Sequence, residues 1–203
     1  MREKTEQELF WQGEFGDRYT SRNDINPQLR ISFFATVLKN TYGIQNICEL
    51  GCNRGHNLEA IYRLSPNFNL TGIEINSEAI DILKDNPNIQ TIHSSIQDFA
   101  PNKKFDLVFS CGVLIHIHPN DLRSIYQKMY EISSRYILLN EYYNPAPVEI
   151  NYRGHSQKLF KRDFAGEFLD LYSNISVVTY GFLWQRLNPA WDDTTWFLLE
   201  KTE

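Results

Sequence analysis

The sequence predicts an α/β fold, a mostly parallel sheet with helices packed on both faces. Three observations carry that expectation. Short apolar runs alternate with helical patterns from residue 46 to residue 139, the order that builds βαβ units. The run 105–111, Phe-Asp-Leu-Val-Phe-Ser-Cys, is almost continuously apolar, as a central parallel strand covered on both faces must be. The stretch 46–61 passes from an apolar run through Gly51 and Gly55 into a helical pattern, which makes a strand, a sharp turn and a helix starting close to the strand or to a ligand.

Taken in order, residues 5–22 read as a polar-aromatic helix and turn carrying Phe10, Trp11, Phe15 and Tyr19 among Gly13 and Gly16, too many aromatics for an idle tail. Asn26 and Pro27 supply an N-cap and a first-turn proline for a second helix, whose apolar positions Leu29, Ile31, Phe33, Phe34, Val37 and Leu38 run to a stop at Gly43. Strand one and its turn follow. Asn53 is the most tolerable non-glycine residue should the middle of that turn need positive φ. Leu58, Ile61 and Tyr62 continue the crossover helix until Ser65-Pro66-Asn67 ends it. Strand two is expected at 69–75, a helix from Asn76-Ser77-Glu78 to Asn86-Pro87, strand three at 89–93 and strand four at 105–111, stopping at Gly112. Pro119 opens a helix through 133, and strand five covers 136–139. A proline-containing loop at 144–155 interrupts the alternation. A helix at 161–171 and two β-rich runs at 175–183 and 194–200 complete the pattern.

The length of 203 residues fits one domain with a sizeable core, divided into an N-terminal lid segment, 1–25, and the core, 26–203. Three cysteines, an odd number without paired-ligand spacing, point to a reducing compartment and away from a disulfide framework or a zinc site. The first eight residues are charged, without the apolar stretch of an export signal, and no apolar run reaches the roughly 18 residues of a membrane span. A cytoplasmic protein is expected. The net charge of −5 leaves no overall footprint for phosphate backbones, so nucleic acid is not an expected partner.

The turn itself narrows the ligand. A dinucleotide site reads G-x-G-x-x-G, whereas this chain offers only G-x-x-x-G. Glu49, just before the first glycine, would repel a pyrophosphate but attract an ammonium group. Glu74 ends the next apolar run, at about the 20-residue distance usual for a carboxylate that bonds ribose hydroxyls. Together they describe a ligand with a ribose and a positive charge. The plain alternative for both is a strand-end carboxylate facing water.

The run ELGCNRG at 49–55, TGIEIN at 71–76 and FDLVFSCGVLIHIHP at 105–119 resemble the successive motifs of class I S-adenosylmethionine-dependent methyltransferases. FWQGEFGDRYTSRN at 10–23, YRGHSQKLFKRDF at 152–164 and DDTTWFLLEK at 192–201 are similar to the small methylases associated with bacterial pseudaminic acid biosynthesis, and the likeness covers nearly the whole chain. The resemblance implies a Rossmann-like seven-stranded sheet of order 3-2-1-4-5-7-6 with strand 7 antiparallel. It also implies S-adenosylmethionine as cofactor and a small-molecule acceptor, an amino sugar or a nucleotide-linked nonulosonate. On it, Glu49 meets the methionine ammonium and Glu74, with Ile75, the ribose end. Gly51, Cys52, Asn53 and Gly55 form the turn, Ser95 and Ile96 clasp adenine, and Cys111 and Gly112 let the backbone approach the methionine part.

The remaining candidates serve closure and the acceptor. Trp11, Tyr19 and Arg22 make a natural lid, with Arg22 suited to the methionine carboxylate; the competing reading is a helix packed on the sheet with Arg22 in a surface ion pair. His118 is expected to cap the helix begun by Pro119. The alternation of His116 and His118 lacks an acid partner and makes a poor metal site, so no metal is expected. His116 and Glu141 leave adjacent strands four and five and are the candidate bases, catalytic if the acceptor is a hydroxyl. The basic cluster of Arg153, Lys158 and Arg162, with Tyr143, suits a carboxylate or phosphate on the acceptor. A nicotinamide-dependent oxidoreductase and a non-catalytic sugar-binding protein stand as alternatives, and the sequence leaves the oligomeric state open.

Overall fold

A computed structural model describes residues 2–202. Its centre is a seven-stranded sheet built from β1 (Asn46–Leu50), β2 (Asn69–Glu74), β3 (Ile89–His93), β4 (Phe105–Cys111), β5 (Ser133–Glu141), β8 (Ile175–Leu183) and β9 (Thr194–Lys201), in the order β3-β2-β1-β4-β5-β9-β8. β1 to β5 pair in parallel, while β9 runs antiparallel to both β5 and β8. The expected order and the antiparallel last strand are both found. The two strands not in that expectation, β6 (Val148–Glu149) and β7 (Phe160–Lys161), form a separate antiparallel hairpin.

Strand alternation divides the core into two layers. Ile47, Leu107, Phe109, Tyr136, Leu138 and Leu198 face α3 (Ile31–Leu38), α4 (His56–Leu64) and α5 (Ser77–Leu83). Cys48, Leu50, Val108, Ile137, Leu139 and Leu199 face α6 (Pro119–Ile132) and α7 (Phe164–Leu171). Successive strand residues point to opposite faces, so the near-continuous apolar run of β4 feeds both layers. The helices close with local caps: the Asn76 side chain accepts from the Ala79 amide, and His118 accepts from the Asn120 amide ahead of Pro119.

Local chemistry explains where element ends differ from expectation. The helix expected from residue 161 starts at Phe164, because Asp163 caps it by accepting from the Gly166 amide and Lys161 is taken into β7. The segment from Asn26 begins as a 3-10 turn over Pro27–Arg30 before α3. β5 extends beyond 136–139 at both ends, because the parallel ladder with β4 and the antiparallel ladder with β9 continue past them.

The N-terminal segment is two helices, α1 (Glu6–Gln12) and α2 (Glu14–Arg22), broken at Gly13. Thr5 and Glu8 form a reciprocal capping box at the start of α1. Gly16 lets the pair fold tightly: a Cβ there would lie 1.8 Å from the Trp11 carbonyl oxygen. The pair bridges the sheet's C-terminal edge. At one end Arg2 donates to Glu8 and Asp98, and Asn76 Nδ2 donates to Asp17 at 2.7 Å. At the other, Gln7 donates to the Gln157 carbonyl at 3.0 Å and Lys158 pairs with Glu6.

Candidate active site

The turn after β1 adopts the strained shape its composition allows. Gly51, Asn53 and Gly55 all have positive φ, 70°, 46° and 74°, and Asn53 is the non-glycine residue that best tolerates it. The Gly51 and Cys52 amides donate to the Ile73 carbonyl at 2.8 and 3.0 Å, which fixes the turn beside β2. The Asn53 amide donates to Glu74 Oε2 at 2.8 Å, and the Asn53 side chain reaches Thr20 of α2 at 2.9 Å.

Glu74 is buried. It accepts from the backbone amides of Asn53, Ile75 and Asn76 at 2.7–2.8 Å. Burial pushes its carboxyl above the usual range, against the pull of those amides. A carboxylate offers about four lone-pair positions, so one is left for a ligand hydroxyl. Glu49 is more isolated: it is 1% exposed, its Oε1 accepts from Asn57 Nδ2 at 2.5 Å, and its Oε2 has no partner. Burial raises its carboxyl to about 8.

Arg30 completes this end of the site and was not anticipated. It donates to Asn57 Oδ1 at 2.6 Å and to the Ala190 carbonyl at 3.1 Å, and lies 4.3 Å over the Trp191 ring. Its Nε is buried without a partner. Asn57 therefore sits between a guanidinium and a carboxylate, each with one unused polar atom. In sequence Arg30 looks like an ordinary helix-surface residue; the signal that could have marked it is its place in the proline-opened first turn, which directs it at the neighbouring turn. Arg22, the expected carboxylate partner, instead packs over Phe15 and Tyr19 at 5.4 and 5.2 Å and is exposed, though it still lines the cavity.

These groups open onto one cavity of about 640 Å³ roofed by α1 and α2. Trp11, Tyr19, Glu49, Glu74, Ser95, Ile96, Cys111, Gly112, His116 and Arg153 all line it. Ser95 accepts from the Asp98 amide and holds the loop after β3 in a tight turn. Gly112 has φ 66° and a Cβ there would meet nothing within 4 Å, so the end of β4 leaves open space for a ligand. Burial raises the Tyr19 phenol to about 12, which keeps it neutral.

His116 is buried between Trp11 and Tyr152, with ring centroids at 4.6 and 4.9 Å. Its Nδ1 lies 2.6 Å from the Lys158 carbonyl. A carbonyl only accepts, so Nδ1 carries the proton and Nε2 keeps the lone pair. Burial lowers its pKa to about 4, so it is neutral at neutral pH and a weak base.

Four expected site residues are used elsewhere. Glu141 does not line the cavity; it accepts from Ser110 Oγ at 2.9 Å and from the amides of Val113, Leu114 and Ile115 at 3.2–3.4 Å. It caps the 3-10 turn Leu114–His116, which leaves it no free route to an acceptor. Tyr143 and Arg162 bridge to each other outside the cavity, and Arg162 pairs with Glu167 at 2.6 Å. Lys158 is 5% exposed and spent on Glu6 of the roof and on the face of Phe10. It ties the roof to the hairpin rather than reaching toward an acceptor.

Residues 47–134 match the family model described as methyltransferase domain. Two malonyl-[acyl-carrier protein] O-methyltransferases of Ilyobacter polytropus are similar. One is 26% identical over 135 residues, 58% of this chain and 48% of the relative, and the other is 36% identical over 69 residues, 32% of this chain and 27% of the relative. The chain thus spans about half or less of the curated relatives it matches. Among solved structures, magnesium protoporphyrin IX methyltransferase (ChlM) from Synechocystis PCC 6803 with bound SAM superposes with a TM-score of 0.70 at 12% identity, covering 100% of both chains. The chain has the fold of the class I methyltransferases.

Proposed function

We propose that the protein is a class I methyltransferase that moves a methyl from S-adenosylmethionine to a small polar acceptor, an amino sugar or a nucleotide-linked nonulosonate of the pseudaminic acid type. One observation carries the reading. A single cavity holds an unpartnered buried carboxylate oxygen on Glu49 and an unpartnered buried guanidinium nitrogen on Arg30, bridged by Asn57, with Glu74 farther along at the end of β2. An unpartnered buried polar atom is expensive unless a ligand completes it. An amino acid's ammonium and carboxylate match the first two atoms, and a ribose hydroxyl matches the free position on Glu74. The residues present therefore fit the cofactor. The match of residues 47–134 to a methyltransferase domain and the SAM bound by the Synechocystis relative support the same assignment.

Bound there, S-adenosylmethionine supplies a methyl already activated by its sulfonium. The chain's task is placement. Glu49 and Arg30 hold the amino-acid end, the Gly51–Gly55 turn and Glu74 hold the nucleoside end, and the open Cβ position at Gly112 leaves room between them. Trp11 and Tyr19 exclude water from above, which keeps a competing nucleophile out. His116, neutral and with Nε2 unprotonated, would accept a hydrogen bond from the acceptor's N–H or O–H and so orient the acceptor. At a pKa of about 4 its strength is in orientation more than in proton removal.

A nicotinamide cofactor is the weaker alternative, because its pyrophosphate would meet the buried acids Glu49 and Glu74 at the turn. Calorimetry with S-adenosylmethionine and with NADH separates the two. Labelled S-adenosylmethionine incubated with a panel of nucleotide-linked sugars then tests the acceptor. Binding of NADH alone, or no label in any sugar despite cofactor binding, would overturn the corresponding half of the proposal.

A further inference from the structure

Beyond the cofactor groups, a second set of buried polar atoms lies unpaired on the same side of the sheet. Asn140, 1% exposed, lies against the weakly polar Cys111 thiol and has no nitrogen or oxygen partner for its amide nitrogen or amide oxygen, and Thr194, 4% exposed, has an unpartnered hydroxyl. Both line the cavity. They come from neighbouring strands: Asn140 faces Trp196 across the β5–β9 ladder. That makes Thr194 its diagonal neighbour on the same face, about 7–8 Å away between backbones. In the β4–β5 register Asn140 stands opposite Cys111, beside the open position at Gly112. The wall is aromatic: Trp191 lies under Arg30, and Tyr142, just after the end of β5, lines the cavity and donates to Asp192.

We propose that Asn140 and Thr194 form the acceptor subsite and bind neighbouring hydroxyl or acylamino groups of a polyhydroxylated ring. The chemistry selects this class. An amide and a hydroxyl each donate and accept, so their full pairing needs a ligand that does both at adjacent positions. An apolar acceptor would leave them unpaired, and an ionic group would be buried beside neutral partners. The methionine end of the cofactor needs a charged pair, which Glu49 and Arg30 already supply, so these neutral groups remain for the other substrate. The ring would sit against the aromatic wall with one substituent directed at the open space beside Gly112. This inference rests on the methyltransferase reading and narrows its acceptor.

The test uses the full chain saturated with S-adenosylhomocysteine and titrated with CMP-N-acetylneuraminic acid and UDP-N-acetylglucosamine, read by saturation-transfer NMR. In the wild-type protein the sugar-ring and acetamido protons should receive saturation. Thr194→Val, nearly isosteric, and Asn140→Asp should each weaken sugar binding about tenfold, the loss of one well-made hydrogen bond, with S-adenosylhomocysteine affinity within about twofold of wild type. Thr194→Ser keeps the hydroxyl and should retain sugar binding, so it separates a lost contact from a disturbed fold. Three results would overturn the subsite: neither sugar binds the wild type, both variants bind sugar normally, or they lose S-adenosylhomocysteine instead. If the wild type binds no S-adenosylhomocysteine, the methyltransferase reading falls, while sugar titration without it still decides the subsite.

Discussion

Glu49 is the residue at which cofactor binding should be visible as proton release. In the free protein its buried carboxyl titrates at about 8, so at pH 7 it is roughly 0.9 protonated. An ammonium docked on Oε2 favours the ionised form and expels that proton. The ligand's own amino group, with a pKa of about 7.7–8.0, takes up roughly 0.1–0.2 proton in return. The net release is about 0.8 proton per site at pH 7. Isothermal titration in two buffers of different ionisation enthalpy measures it directly. The stability consequence has a definite sign. Between the ordinary glutamate value of 4.5 and about 8 the folded protein holds a proton that the unfolded chain has lost, so stability of the free protein falls as pH rises through that window, by on the order of 5 kcal/mol in full. Glu49→Gln removes the titrating group. The variant should match wild type near pH 5, melt higher than wild type at pH 8, and bind S-adenosylmethionine at least tenfold more weakly with no proton release. Saturable binding to the wild type without proton release, or full affinity in Glu49→Gln, would refute the pairing of Glu49 with the ammonium.

Three further outcomes follow from the same geometry. Glu74→Ala removes one charge-assisted bond to the ribose, worth roughly 1.5–3 kcal/mol, and should raise the dissociation constant of S-adenosylmethionine by about tenfold or more; an unchanged constant in a folded variant discards the ribose role. Lys158→Met and Glu6→Gln break the same roof contact, so each should speed cofactor dissociation in stopped-flow while the double variant behaves like either single one; additive effects would mean that the two residues act separately. His116→Ala should lower turnover by about 10²-fold with cofactor affinity retained. Because burial holds the histidine near 4, below its unfolded value of about 6.5, the wild-type rate should show no limb near pH 6.5, while stability drains away as pH falls from about 6.5 toward 4; a kinetic limb at 6.5 that the substitution abolishes would contradict its neutral, orienting role.

The sheet and the turn were legible in the sequence because local rules dictate them. A two-residue period sorts β5 and β9 into layers, proline and asparagine mark the helix starts, and the Gly51-x-Asn53-x-Gly55 spacing fixes three left-handed residues in a row of five. The acceptor side was legible only in part, for a reason the same period supplies. Glu141 was expected in the crevice because it leaves β5 toward it, yet one residue decides which face a strand side chain takes. Leu139 packs against α6 and α7, so Glu141 shares that face, where Ser110 and the turn after β4 take up its oxygens, and Asn140 takes the other and lines the cavity. The register needed for that choice comes from tertiary pairing with β4 and β9, which no local pattern encodes. Long-range partnership likewise hid Arg30, whose neighbours Asn57, Ala190 and Trp191 are distant in sequence, and it explains Lys158, whose charge looks free until Glu6, 152 positions away, folds over it. A basic residue read alone suggests an anionic ligand. Here the anion that Lys158 meets is the protein's own first helix and the anion that Arg162 meets is Glu167 of α7, so those charges hold the structure together, and under the proposed subsite recognition of the acceptor falls to neutral amide and hydroxyl groups that a charge count does not reveal.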